Sequence, residues 1–202
     1  MSSLQYTLGR DKPETKEGEC SLIGASLSAG NLSTNRHYLM QHYGFYCMCA
    51  CCTLSEEESK ASDVRLTTMN DLYKRLGTWG HGAIDGREAT RLVKRIWAIG
   101  EEEGYTSERG RLAADATLVA VVHAEYVLHQ ITGNVTEHRY SEEAAVDWAG
   151  LALRWASYEL GSDSNLAEEM RIVMREPKGH RMWGQRLAMS VEKPSAAMSH
   201  DT

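Results

Sequence analysis

From Ser55 onward, apolar and polar positions follow a helical period broken by capping residues and glycines. Ser55 and Glu58 form a capping box, the hydroxyl covering an orphan N–H while the carboxylate reaches back to the cap. Ala61, Val64, Met69, Leu72, Tyr73 and Leu76 then give one approximately helical face, closed by Gly77. Asp85 with Glu88 caps a second helix, whose face is Ala89, Leu92, Val93, Ile96 and Trp97. Ser107 and Glu108 open a third, running to about Thr132, with Leu112, Ala116, Val119, Ala120, His123 and Val127 along one stripe. Leu118, Val121 and Val122 lie off that stripe, and a helix apolar nearly all round belongs at the centre. Ser141, Glu142 and Glu143 start a fourth, with Ala145, Trp148, Ala149, Ala152, Trp155, Ala156 and Leu160 at helical spacing before Gly161. A last helix runs from Asn165 to Glu176 and stops at Pro177, which cannot donate to the ladder.

With so little strand pattern, residues 55–185 are expected to form an all-α domain, an antiparallel helical array whose alanine-rich faces meet at close approach. No repeat of roughly 34 residues is visible, so the array is TPR-like at most. Residues 1–33 are rich in Ser, Gly and charge and lack a sustained apolar period, so a disordered N-terminal segment is expected there. Arg36 to Tyr43 can form a short helix leading into a cysteine segment within 34–54. Residues 186–202 read as a flexible tail.

Composition narrows the function classes. The 202 residues are 42% hydrophobic and 25% charged, ordinary values for a globular chain. A net charge of −6 argues against nucleic-acid binding, which needs a basic face to displace phosphate counterions. It leaves room for a basic protein partner. No apolar stretch reaches the ~18–20 residues of a membrane span, and the polar N-terminus lacks a signal-peptide core. An intracellular protein, nuclear or cytoplasmic, is therefore expected, with reduced thiols and unused sequons at Asn31 and Asn134.

The chemistry concentrates at 43–52, Tyr-Gly-Phe-Tyr-Cys-Met-Cys-Ala-Cys-Cys. Cys47, Cys49 and Cys52 read as C-x-C-x-x-C, and three thiolates this close can turn around one tetrahedral zinc at about 2.3 Å. Cys51 adjoins Cys52 and cannot easily face the same ion. Cys20, Cys51, His37 and His42 are candidates for a fourth ligand, and no spacing selects among them. A loop of small hydrophobes and a redox-sensitive cluster are the other readings of these thiols.

Arg36, Leu39, Tyr43, Gly44, Phe45, Cys47, Cys49 and Cys52 together resemble the post-SET segment of SET-domain lysine methyltransferases, particularly the SMYD-like proteins of filamentous fungi. The likeness continues through Leu54–Ser59 and Ala61–Leu66, then Glu101–Gly104 and Glu159–Ser164, covering roughly 34–185. It implies a zinc knuckle held by Cys47, Cys49 and Cys52. It implies S-adenosylmethionine as methyl donor, with Phe45 and Tyr46 bordering its pocket, and a histone or other lysine-containing protein as partner. Packing of the knuckle against the first helix is the alternative role for Phe45 and Tyr46. The glycine-rich donor segment, the Asn-His-x-Cys motif and the lysine-orienting tyrosine of a SET core are not legible upstream of Arg36. The motif's cysteine is also the family's remaining zinc ligand.

Other candidates carry less. His123 and His129 are separated by about 600° of helix rotation, so they fall on different faces and Glu125 between them makes no zincin arrangement. Gly80-His81-Gly82 suffices as a turn before Asp85, and Trp148 and Trp155 share a helical face expected in the core. Two functions follow. One is a truncated SET-family protein, related to lysine methyltransferases and without catalysis of its own. The other is a helical protein-interaction module stabilised by zinc.

Overall fold

The computed structural model describes residues 37, 40–46, 48, 53–104, 107–124, 136–186 and 191–199, with the side chains of 136–141 and 199 excepted. All regular structure among the described residues is helical. The helices are α1 (Glu56–Gly77), α2 (Gly86–Glu102), α3 (Arg109–Val122), α4 (Thr136–Leu160) and α5 (Asn165–Arg175). Short 3-10 turns lie at Thr78–His81, Pro177–Gly179 and Ala196–Ser199. The chain divides into two compact units, residues 1–67 and 68–202. The proposed disordered segment 1–33, Cys47, Cys49, Cys51, Cys52 and the stretch 125–135 lie outside the described residues.

In the first unit, residues 40–43 are helical and α1 begins with the expected capping box. Ser55 N–H donates to Glu58 Oε2 at 3.0 Å, and Glu58 N–H donates to Ser55 Oγ at 3.3 Å. The Ser55 hydroxyl, which donates to Glu58 Oε2 at 2.7 Å, and then the Ser55 N–H hold the Glu58 carboxyl below its ordinary pKa. The apolar face expected along α1 is split: Val64 in the first unit is 65% exposed, whereas Met69 and Leu76 in the second are buried.

The second unit is built around α3, which packs on α2 and, over most of its length, on α4; α4 in turn packs on α5. Small residues set these distances. Ala113, Ala116 and Ala120 of α3 and Ala145, Ala149, Ala152 and Ala156 of α4 are fully buried, with Val93 and Ile96 of α2 and Trp148 of α4 among the larger core side chains. Val93 and Ile96 each contribute about 1.5–3 kcal/mol when removed from water. Gly110 brings α3 against the α4 backbone: a Cβ there would lie 2.7 Å from the Ala156 nitrogen. As the all-round apolar pattern implies, α3 is central, with Val121 and Val122 as buried as its main stripe.

Helix ends follow local chemistry where it is available. Asp85 caps α2 by accepting from Glu88 N–H at 2.7 Å, and Ser164 caps α5 by accepting from Ala167 N–H at 3.3 Å. Gly161 ends α4 at a φ of 98°, which a side chain adopts only under strain. Two boundaries differ from the sequence pattern: α3 stops at Val122 rather than near Thr132, and α4 begins at Thr136 rather than Ser141. The C-terminus of α3 is closed from a distance, because Gly184 and Arg186 N–H groups donate to the Val121 and Val122 carbonyls, each at 3.1 Å. The Val121 carbonyl also accepts from Ala124 N–H at 3.2 Å, so the bond from Arg186 N–H to Val122 is the one that supplies a partner the helix end itself does not.

Residues 191–198, whose composition suggests a loose tail, are tied to α2 and α4. Val191 and Met198 are buried. Trp148 Nε1 donates to the Glu192 carbonyl at 2.7 Å, and Glu192 N–H donates to Thr90 Oγ1 at 3.2 Å. The Glu192 carboxylate lies 2.8 Å from Arg91 Nε and 2.9 Å from Lys94 Nζ, and these bonds hold its pKa down. Composition misses this because the partners are a buried indole and a threonine about a hundred residues away in sequence.

Candidate functional site

The two ends of α3 each carry an arginine stacked on tryptophan. At the C-terminal end, Arg186 Cζ lies 4.5 Å from the Trp79 ring centroid. Its Nη1 and Nη2 donate to the Trp79 and Gly80 carbonyls, both at 2.7 Å. Trp79 Nε1 donates to His123 Nε2 at 3.1 Å. An indole N–H only donates, so Nε2 must accept, and the neutral ring then carries its proton on Nδ1. His123 is buried at 5% exposure and lies so close to Gly86 that a Cβ there would come within 2.5 Å of Cδ2. The geometry is that of a clasp, with donors and acceptors matched.

The N-terminal end is built differently. Glu108 precedes the helix at φ 66°, in the left-handed region, and its side chain makes no cap. A non-glycine residue there costs on the order of 1–2 kcal/mol. The cap comes instead from Glu159 of α4. Its Oε1 accepts from Arg109 N–H at 2.8 Å, and its Oε2 accepts from Gly110 N–H at 3.2 Å. Burial raises the Glu159 pKa, against the lowering effect of these N–H groups and the Arg109 charge, and Glu108 adds to the rise.

Arg109 packs against two indoles that touch each other, with its Cζ 5.1 Å from the Trp97 centroid and 4.6 Å from that of Trp155. The side chain is 8% exposed, and burial lowers the guanidinium pKa while Glu101 and Glu159 oppose that effect. No hydrogen bond or ion pair reaches the guanidinium among the described residues. Trp97 Nε1 donates to Glu101 Oε1 at 2.8 Å, but Trp155 Nε1 is buried without a partner among the described residues. Trp155 meets Trp97 edge-on at 5.9 Å and Tyr158 edge-on at 6.1 Å, and Tyr158 is 81% exposed. A strained backbone, an unpartnered indole and an unpartnered guanidinium therefore meet at one helix end. Departures of this kind from local rules concentrate at functional or strained sites.

Of the site residues expected from the sequence, Phe45 and Tyr46 are 49% and 70% exposed, and Cys47, Cys49 and Cys52 lie outside the described residues. Among the described residues, no cluster of three His, Cys, Asp or Glu side chains could hold a metal ion. None of the described helices is long and apolar enough to cross a membrane. Trp148 belongs to the core, as its helical spacing implies, but Trp155 on the same face stands half-buried against Arg109. The Arg109 cluster has no local signal, since its members lie on three different helices. The one clue was Glu108, which has no good cap chemistry at a position the pattern marks as a helix start.

No family model, curated protein or solved structure matches this chain.

Proposed function

We propose that this chain is a SET-related protein-binding module without methyl transfer of its own, and that it engages a protein partner through residues 40–48. The observation that carries this is the exposure of Met40, Tyr43, Phe45, Tyr46 and Met48, at 36%, 66%, 49%, 70% and 77%. Large apolar side chains clustered at a surface mark contacts, and aromatic residues supply much of the energy of such contacts. The Tyr43-Gly44-Phe45-x-Cys47-x-Cys49-x-x-Cys52 spacing supports the SET kinship and the assignment of zinc to those three thiols. On this reading the cysteines form a knuckle that precedes in sequence an antiparallel helical array, TPR-like at most, and the module works in the nucleus or cytoplasm. The net charge of −6 favours a basic partner, such as a lysine-rich histone segment.

Sedimentation tests the docking surface. The unmodified chain should self-associate at high concentration, and Phe45→Ser with Tyr46→Ser should raise the monomer fraction. A clean monomer that the substitutions leave unchanged would contradict the proposal. Calorimetry with S-adenosylmethionine should show no binding; a micromolar Kd would overturn the non-catalytic part. Metal analysis of single Cys→Ser variants should show zinc lost with Cys47, Cys49 or Cys52 and kept without Cys51.

A further inference from the structure

We propose that the Arg109 end of α3 binds a carboxylate carried on an aromatic or apolar body. The inference is independent of the docking surface at 40–48. Trp97 and Trp155 pack on the guanidinium from adjacent sides, their ring centroids 5.9 Å apart, and the cation's hydrogen bonding runs through its planar edge. That edge carries the N–H fork that matches a carboxylate in bidentate fashion. No acceptor fills it among the described residues, although two carboxylates are near enough to act on its charge. Both are engaged elsewhere, Glu101 by the Trp97 indole and Glu159 by the Arg109 and Gly110 backbone. Among the described residues the unpartnered side-chain atom sealed from solvent is Trp155 Nε1 and not a guanidinium nitrogen, and Arg109 as a whole is 8% exposed.

The surroundings select the ligand. Glu101, Glu108 and Glu159 all bear on this end of the helix and oppose added negative charge, which favours a monoanion over a phosphate dianion. The exposed Tyr158 ring beside Trp155 offers an apolar surface for the body of the ligand. The strained Glu108 backbone fixes the start of the helix and with it the position of Arg109. Arg186, with the same stacking, shows the filled alternative: its edge is occupied by two backbone carbonyls.

Phenylacetate is a suitable probe, with neutral phenylacetamide and phenyl phosphate as controls, read by the Arg109 Nε and Trp155 Nε1 NMR resonances. Phenylacetate should give saturable shifts, with both controls about tenfold weaker or more. Arg109→Lys keeps the charge but loses the fork, and should weaken binding by about tenfold. Tyr158→Ser, at an exposed position, should weaken binding without lowering Tm. No saturable shift with phenylacetate, equal response to phenylacetamide, or full binding by Arg109→Lys would overturn the proposal. Two short peptides ending in phenylalanine, one with a free and one with an amidated C-terminus, distinguish the sources of the carboxylate. Tighter binding of the free-ended peptide than of phenylacetate assigns a peptide terminus, and the reverse order assigns a small acid.

Discussion

Arg186 and Arg109 stack on tryptophan at nearly the same distance, 4.5 Å and 4.6 Å, at opposite ends of one helix. What separates them is the edge of the guanidinium. Arg186 spends it on the Trp79 and Gly80 carbonyls, while Arg109 spends it on nothing within the described residues. The matching indoles repeat the contrast, since Trp79 finds His123 and Trp155 finds no acceptor among the described residues. Stacking alone therefore does not distinguish a structural clasp from a binding site; the accounting of donors does.

The largest effect expected at the Arg109 end comes from its close helix contact. Gly110→Ala would press a methyl group against the Ala156 backbone at 2.7 Å, and backbone cannot swing aside. It should cost roughly 3 kcal/mol in denaturant unfolding. Gly86→Ala at the other end meets the His123 ring instead, which can turn at the expense of its bond to Trp79, so the loss should be smaller. Equal losses would mean that the two ends of α3 are packed alike.

Arg186→Met removes two charged hydrogen bonds to carbonyls and should cost about 2 kcal/mol.

The helices themselves were legible in the sequence because their signals are local. Ser55 with Glu58 and Asp85 with Glu88 cap as their spacing implies, and Ala89, Leu92, Val93, Ile96 and Trp97 all face the core. The Arg109 site was not legible, because a glutamate at position 159 replaces the cap that position 108 fails to provide. The fastening of 191–198 escaped for the same reason: Thr90 and Trp148 reveal nothing of their partners through periodicity. Val64 was misplaced on the core face because α1 crosses from one compact unit to the other, and one stripe of residues serves two environments.

The next effect is a pH dependence confined to the Arg109 end. The Glu159 carboxyl has a raised pKa in the folded chain, so folding favours its protonated form. Its contribution to stability should be greatest below the ordinary glutamate pKa and fall as pH rises through the folded-state value. Glu159→Gln should therefore gain stability relative to the unmodified chain as pH rises through that window. A difference that does not change with pH would show that burial of this carboxyl is not felt in stability.

The smallest expected effect decides the central claim, that Arg109 is held for binding and Arg186 for structure. Arg109→Met keeps a buried stem against the two indoles, and removing an unpaired charge relieves about as much desolvation as the lost cation–π contact supplied. Denaturant unfolding of Arg109→Met beside Arg186→Met is the direct measurement. The account predicts a loss within ~0.5 kcal/mol for Arg109→Met, well below that of Arg186→Met. A loss at Arg109 equal to or larger than that at Arg186 would contradict it, and would make both ends of α3 structural clasps.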